Sequence, residues 1–327
     1  ALTYLNCAYN SLTTLDMSSN TALTYLQNFG NELTSLNVSG NTALVELHCG
    51  KNELTSLDVT NNTSLTILGA QRNSFTSLDL SNNTSLVYLY LKEGALTSLN
   101  VSNNTALEYL DCGDNELTSL NMSSNTALTD LYCYNNQLTS IDVSNNTLLT
   151  YLNLTNNDLT SLDISNNTLL TRLWANNNEL TSMDVTNNDT LVFLYLESNS
   201  LTTVTGVNDK THLTYLQLKY NELTSLDLSG CTSMVELAVS NNNLSSLDVT
   251  GCTAMVTIYA YNNELTAIDL SSNDLLEQVN IYNNQLTSID VSDKPNLANL
   301  FVSNNQITSI DVSNNPLLNQ LNITSND

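Results

Sequence analysis

Carboxylates recur along this chain at a spacing that sets them side by side if successive segments stack. Asp16, Asp58, Asp79, Asp142, Asp163, Asp184, Asp227, Asp248, Asp269, Asp290 and Asp311 share one phase of a period of about 21 residues. Such a row of like charges would raise pKa values within it or attract Ca2+. Asn37, Asn100 and Asn121 take the same place without other changes, so repetition of structure explains the row better, and Ca2+ is the one ion it offers a place. Six cysteines fall into two groups. Cys231 and Cys252 replace Asn in adjacent units, where stacking would bring them within about 5 Å and so within Cα reach of a disulfide, although parallel Cβ vectors make the bridge awkward. Cys7, Cys49, Cys112 and Cys133 alternate with Leu, Val, Ile or Ala and read as buried apolar thiols. There is no CxxC pair, and the two histidines, His48 and His212, lie many units apart, so neither a zinc site nor a base held against a nucleophile is expected. With no Gly-rich phosphate loop either, no catalytic residue, metal site or cofactor is assigned, and the chain reads as non-enzymatic.

The aromatic residues are distributed unevenly. All fifteen tyrosines lie in one half of the repeating unit. Tyr88, Tyr90, Tyr109, Tyr132, Tyr151, Arg172, Trp174, Phe193, Tyr195, Tyr215 and Tyr259 occupy outward strand places of that half, and Tyr9, Phe29, Tyr134, Tyr220, Tyr261 and Tyr282 occupy the turn beside it. Tyr and Trp offer large, rigid, amphipathic area at low entropy cost, which interfaces exploit. Aromatic side chains also cover a pleated surface well for purely structural reasons. The other half has the same pleat and would profit equally, yet its outward places carry no aromatic residue, which favours a ligand-facing role for the tyrosine half. Asn37, Asn61, Asn82, Asn100, Asn103, Asn121, Asn145, Asn153, Asn166, Asn188, Asn243 and Asn322 each begin N-x-S/T with x not proline, the acceptor pattern for N-glycosylation in a secretory route.

The elements that position these residues follow from the period. Asn10, Asn31, Asn52 and Asn73 begin one asparagine series, Gly94 interrupts it, and after one inserted residue it resumes at Asn221; a second series begins at Asn20, Asn41 and Asn62. A fixed period of this length marks a solenoid whose turns cannot bury their apolar side alone. In each half apolar residues stand at the first, fourth and sixth places, as in Leu128, Leu131 and Cys133, then Leu138, Ile141 and Val143, and the last two give the alternation of a short strand. Helical spacing is absent. The spacing predicts an all-β solenoid of about 15 turns, with two parallel sheets, little or no helix, and a single domain over residues 1–327. An inward Asn can satisfy turn backbone groups and repeat the bond in the next turn.

Leu107-Glu108-Tyr109-Leu110-Asp111-Cys112-Gly113-Asp114-Asn115-Glu116-Leu117 fits L-x-x-L-x-L-x-x-N/C-x-L at every defined place, as does Leu149 to Leu159. The chain resembles the leucine-rich repeat proteins over nearly its whole length, and more closely their short nested 21-residue (IRREKO-like) class, in which the second half echoes the first. This resemblance implies a right-handed solenoid, extracellular or on a cell surface, that binds a partner.

Charge narrows the partner. A net charge of -25 with seven Lys plus Arg leaves no basic stripe, so nucleic acid is excluded and anionic membranes are disfavoured. No run of about 18 apolar residues exists to span a membrane. Both ends of the sequence stand in the core pattern without a polar cap, which fits a segment of a longer protein or head-to-tail stacking of copies. Three functions remain: a recognition or adhesion module meeting a protein or carbohydrate through the tyrosine half, a glycosylated structural rod or filament assembling end to end, and, as a minor alternative, ice binding by regular Thr rows.

Overall fold

A computed structural model describes residues 1–326. The chain divides into two compact units, residues 1–162 and 163–327. In the first, one three-residue strand forms per turn: β1 (Tyr4–Asn6), β2 (Tyr25–Gln27), β3 (Glu46–His48), β4 (Ile67–Gly69), β5 (Tyr88–Tyr90), β6 (Tyr109–Asp111), β7 (Asp130–Tyr132) and β8 (Tyr151–Asn153). Each pairs in parallel with the next in chain order. The register is set by the pattern: Tyr4 faces Tyr25 and Leu5 faces Leu26, and the same phase holds to Leu131 facing Leu152. A one-residue slip would turn every core leucine outward.

The second unit contains β9 (Arg172–Trp174), β10 (Ser182–Asp184), β11 (Phe193–Tyr195), β12 (Thr203–Thr205), β13 (Tyr215–Gln217), β14 (Glu236–Ala238), β15 (Thr257–Tyr259), β16 (Gln278–Asn280), β17 (Asn299–Phe301) and β18 (Gln320–Asn322). Its sheet runs β9-β11-β13 and then in chain order to β18, while β10 pairs with β12 in a second sheet. The extra residue between Val204 and Leu213 is absorbed in the turn, where Gly206 takes a positive φ of 74°. Beyond it Phe193 still faces Tyr215 and Leu213 is buried, so the expected register survives the insertion.

Pairing in the second half of the turn is sparser than two full sheets would need. Besides β10 and β12, only an isolated parallel bridge between Asn121 and Asp142 is formed among the described residues. The backbone N–H of Ser18 donates to Asp16 at 2.9 Å, that of Thr60 to Asp58 at 3.0 Å, and that of Ser144 to Asp142 at 2.9 Å, and the same local bond from Thr186 to Asp184 at 2.9 Å is made where β10 does pair.

Leucines fill the core of each unit, with Leu110, Leu131, Leu194 and Leu216 fully buried. The turn after most strands holds a residue in the left-handed region, such as Tyr9, Arg72, Asn135 and Asn262, directly before the first-series asparagine. That asparagine locks the turn to its predecessor. The Asn136 amide donates to the carbonyls of Cys112, Cys133 and Tyr134, and its oxygen accepts the Leu117 N–H. In the second series the amide again reaches backbone carbonyls of the preceding turn, as Asn62 does to Val38 and Asn41. Bonding from one Asn side chain to the next belongs to a third row on the turn surface, where Asn262 donates to Asn241 at 2.7 Å and Asn283 to Asn262 at 2.6 Å.

Two places in the second series hold lysine: Lys210 and Lys294, only 3% and 2% exposed. Lys210 donates to the Thr186 carbonyl at 2.9 Å and to Asp189 at 2.5 Å, and Lys294 lies 3.4 Å from Asp274. Asp189 and Asp274 each follow a series asparagine, where most turns have Thr. Each buried ammonium is therefore matched by a carboxylate one turn earlier, as a charge taken out of water requires.

Candidate functional site

The outward places of β1 to β8 and of β9, β11 and β13 onward carry the aromatic residues, because strand alternation turns the residues on either side of each core leucine away from the core. In the first unit the rings form a contiguous group. Tyr90 lies 4.9 Å from Tyr109, Tyr109 5.2 Å from Tyr132, and Tyr132 4.6 Å from Tyr151, centroid to centroid. Tyr88 joins at 6.4 Å from Tyr109. Tyr151 is buried and Tyr88 is exposed; the others are half-buried. Near β1, Tyr4 and Tyr25 stack at 4.5 Å, and Tyr25 stands 5.7 Å from the His48 ring.

The second unit brings together the other expected residues. Trp174 stacks on Tyr195 at 5.8 Å, Phe193 stacks on Tyr215 at 5.0 Å, and the Arg172 guanidinium lies 5.4 Å from the Phe193 ring. Tyr259 stands apart from that group and carries Lys219 over its face at 5.1 Å. Tyr261 and Tyr282 stack at 4.6 Å in the flanking turn.

One residue of the first group escapes a reading based on aromatics alone. Asp111 is outward in β6, yet it is only 3% exposed. Its Oδ1 accepts the Gly113 N–H at 3.2 Å, and its Oδ2 lies 3.7 Å from Lys92 Nζ. Burial pushes its carboxyl pKa up, against the smaller opposing effects of the Gly113 N–H and of Lys92. Burial likewise pushes up the Tyr109 phenol, and the Asp111 charge adds to the shift. Gly113 is needed here for space: a Cβ at this place would collide with the Tyr134 ring. The sequence signal was available, since Asp111 occupies the same strand place as Tyr90 and Tyr132.

The opposite side is different in kind. Ten of its carboxylates, from Asp16 and Asp58 to Asp311, are held below the usual carboxylate range, because each accepts bonds from the Ser or Thr two residues on. The expectation that crowding raises values within this row is corrected: local hydrogen bonds outweigh like-charge repulsion between exposed groups. A depressed folded-state pKa contributes stability that is present above the unfolded value and lost as pH falls through the folded one. Among the described residues no group of three or more His, Cys, Asp or Glu is arranged to hold a metal ion.

The thiols are free. Cys112 and Cys133 approach to 3.4 Å in the core, and burial pushes Cys49 up to about 12. Cys231 lies 3.2 Å from the Val207 carbonyl and Cys252 4.0 Å from that of Leu228, each directed at the preceding turn as the asparagines of that series are. Among the sequons, Asn37, Asn61, Asn82, Asn100, Asn103, Asn121, Asn145, Asn166 and Asn243 are exposed, Asn322 is half-buried, and Asn153 and Asn188 are buried. No helix of the structure is long and apolar enough to cross a membrane.

No family model matches the chain, and no curated protein matches it. Solved structures do. The functional domain of InlJ from Listeria monocytogenes, described as including a cysteine ladder, aligns with a TM-score of 0.79 at 36% identity, covering 94% of this chain and 64% of that one. This chain thus spans less than two thirds of that domain. A leucine-rich repeat protein of Leptospira interrogans aligns at 0.77 with 22% identity over 97% of this chain and 95% of that one. An internalin, InlF of Listeria monocytogenes, aligns at 0.70 with 21% identity, covering 98% and 86%. The last two similarities concern the fold alone.

Proposed function

From the premise that the chain is a leucine-rich repeat protein, an all-strand solenoid with turns of about 21 residues, we propose that it is a non-enzymatic recognition module binding a protein through the aromatic rows of its main sheet. The observation that carries this reading is the confinement of aromatic surface to one side. Every tyrosine lies in the half of the turn that forms this sheet, and Phe75, the one aromatic residue of the other half, is buried. Rows of Tyr and Trp on one side offer contiguous, rigid, amphipathic area of the kind that interfaces use. A location outside the cell or on its surface belongs to the same proposal and is tested by labelling intact source cells with an impermeant reagent.

Peptides selected from a random phage library against the whole chain provide the binding test. Replacing Tyr90, Tyr109 and Tyr132 by Ser in the first unit, or Trp174, Phe193, Tyr195 and Tyr215 by Ser in the second, should weaken the selected peptides about a hundredfold, as removal of clustered aromatic anchors does. Far-UV circular dichroism should stay unchanged. Replacing Thr139, Ser140, Thr160 and Ser161 by Ala on the other side should leave binding intact; equal loss from both sets would overturn the assignment. Binding on a glycan array that disappears with the same aromatic variants would replace the protein partner by a carbohydrate on the same face.

A further inference from the structure

We propose that the Asp111 cluster of the first unit is a receptor for a guanidinium group, an arginine side chain presented by the protein partner. This inference rests on the recognition reading above and names the chemistry that one part of the face would select.

The cluster carries a charge that its own surroundings leave poorly matched. Asp111 is buried among Tyr90, Tyr109 and Tyr132 and receives one backbone N–H. The Lys92 ammonium, at 3.7 Å and with its side chain 37% exposed, stands beyond hydrogen-bond distance. A carboxylate removed from water by rings, with its ion pair to Lys92 stretched to 3.7 Å, is costly to keep ionised, and burial raises its pKa despite that pair. Other cations are scarce. The first unit has two more, Lys51 and Arg72, and Arg72 is engaged by both oxygens of Glu93 at 2.7 and 2.8 Å. Glu108, Asp114 and Asp130 add negative charge on the same or neighbouring strands and turns.

The second unit shows what such rings accept. There Arg172 lies against Phe193 and Lys219 against Tyr259, so two of its aromatic faces are met by the chain's own cations. In the first unit Tyr90, Tyr109 and Tyr132 gather around a carboxylate. Ring faces attract cations, and a planar guanidinium combines stacking on tyrosine with two parallel bonds to a carboxylate. An ammonium is more strongly hydrated and suits a half-buried aromatic setting less. Binding would displace Lys92 outward and give Asp111 a close partner. The net charge of -25 would steer a basic segment toward the chain, whereas the cluster would fix where it settles.

The test uses the whole chain with tetraarginine, tetralysine and tetracitrulline peptides, titrated calorimetrically at about 0.15 M salt, where diffuse attraction is screened. Tetraarginine should bind more tightly than tetralysine, and tetracitrulline should not bind. Asp111→Asn should weaken tetraarginine about tenfold, while Asp142→Asn, which removes the same charge on the other side, should change it less than about twofold. Lys92→Gln should tighten binding, because it vacates the place the guest takes; Lys51→Gln should not. Equal binding of tetracitrulline, equal binding of tetralysine, or equal losses from Asp111→Asn and Asp142→Asn would each overturn the proposal. Library peptides lacking arginine that still bind the Tyr90, Tyr109 and Tyr132 surface would overturn it too, while leaving the recognition function standing.

Discussion

Replacing Asn136 by Ala should cost the protein about 2 to 3 kcal/mol, because it strands the buried Leu117 N–H and removes one of the donors to each of three turn carbonyls. The side chain holds the Leu117 N–H and the carbonyls of Cys112, Cys133 and Tyr134, and it is the link through which this turn is pinned to the one before it. The three carbonyls each keep a second donor, from Asn115, Asn157 and the Asp114 N–H, so the loss falls on the Leu117 N–H. Equilibrium denaturation in urea provides the measurement. Asn135→Gly is the control: Asn135 lies next in sequence but is half-buried on the turn surface, bonded to Asp114 and Asn156, its positive φ of 51° suits glycine, and its loss should cost less than about 1 kcal/mol. Similar losses for the two variants would mean that the inward asparagines do not hold the turns together.

Asn28→Cys should do the reverse, raising stability by about 2 kcal/mol or more. Asn28 points into the core at the strand-end place held by Cys7 and Cys49 in the flanking turns. It is fully buried, and neither its amide nitrogen nor its oxygen has a hydrogen-bond partner. Two desolvated polar atoms are kept there without return. Cysteine is close to asparagine in volume and occupies the equivalent place on both sides, so the substitution should remove the polar atoms without leaving a cavity. Urea denaturation again reads the effect, and a loss of stability would mean that the Asn28 amide makes interactions absent from the structure.

These two asparagines also mark where the sequence is and is not informative. The strand phase, the parallel register across the insertion at Gly206 and the inward direction of Asn136 were legible, because a period repeated some fifteen times fixes which side every residue faces. What breaks the period was harder to read. Asn28, Lys210 and Lys294 were passed over, since a ladder is recognised by the residues that conform to it. Their settings become clear only when the partner one turn away is seen, as Asp189 is for Lys210. The second parallel sheet was legible as well, while its extent among the described residues, the pair β10 and β12, was not. Alternation gives the direction of side chains but not how closely successive backbones approach to pair. At the candidate site the sequence separated the aromatic side from the plain one, whereas the burial of Asp111 depends on how far the rings of Tyr109 and Tyr132 lean, which no spacing encodes.

That recognition belongs to the aromatic side of the main sheet is tested most directly by carbene footprinting of the chain bound to its tightest library-selected peptide, since carbenes label side chains of every type. Protection is predicted at Tyr88, Tyr90, Tyr109 and Tyr132 or at Trp174, Phe193, Tyr195 and Tyr215, with labelling unchanged at Thr139, Ser140, Asp142, Thr160 and Ser161. Protection centred on the latter residues, with the aromatic rows labelled as in the free chain, would contradict it.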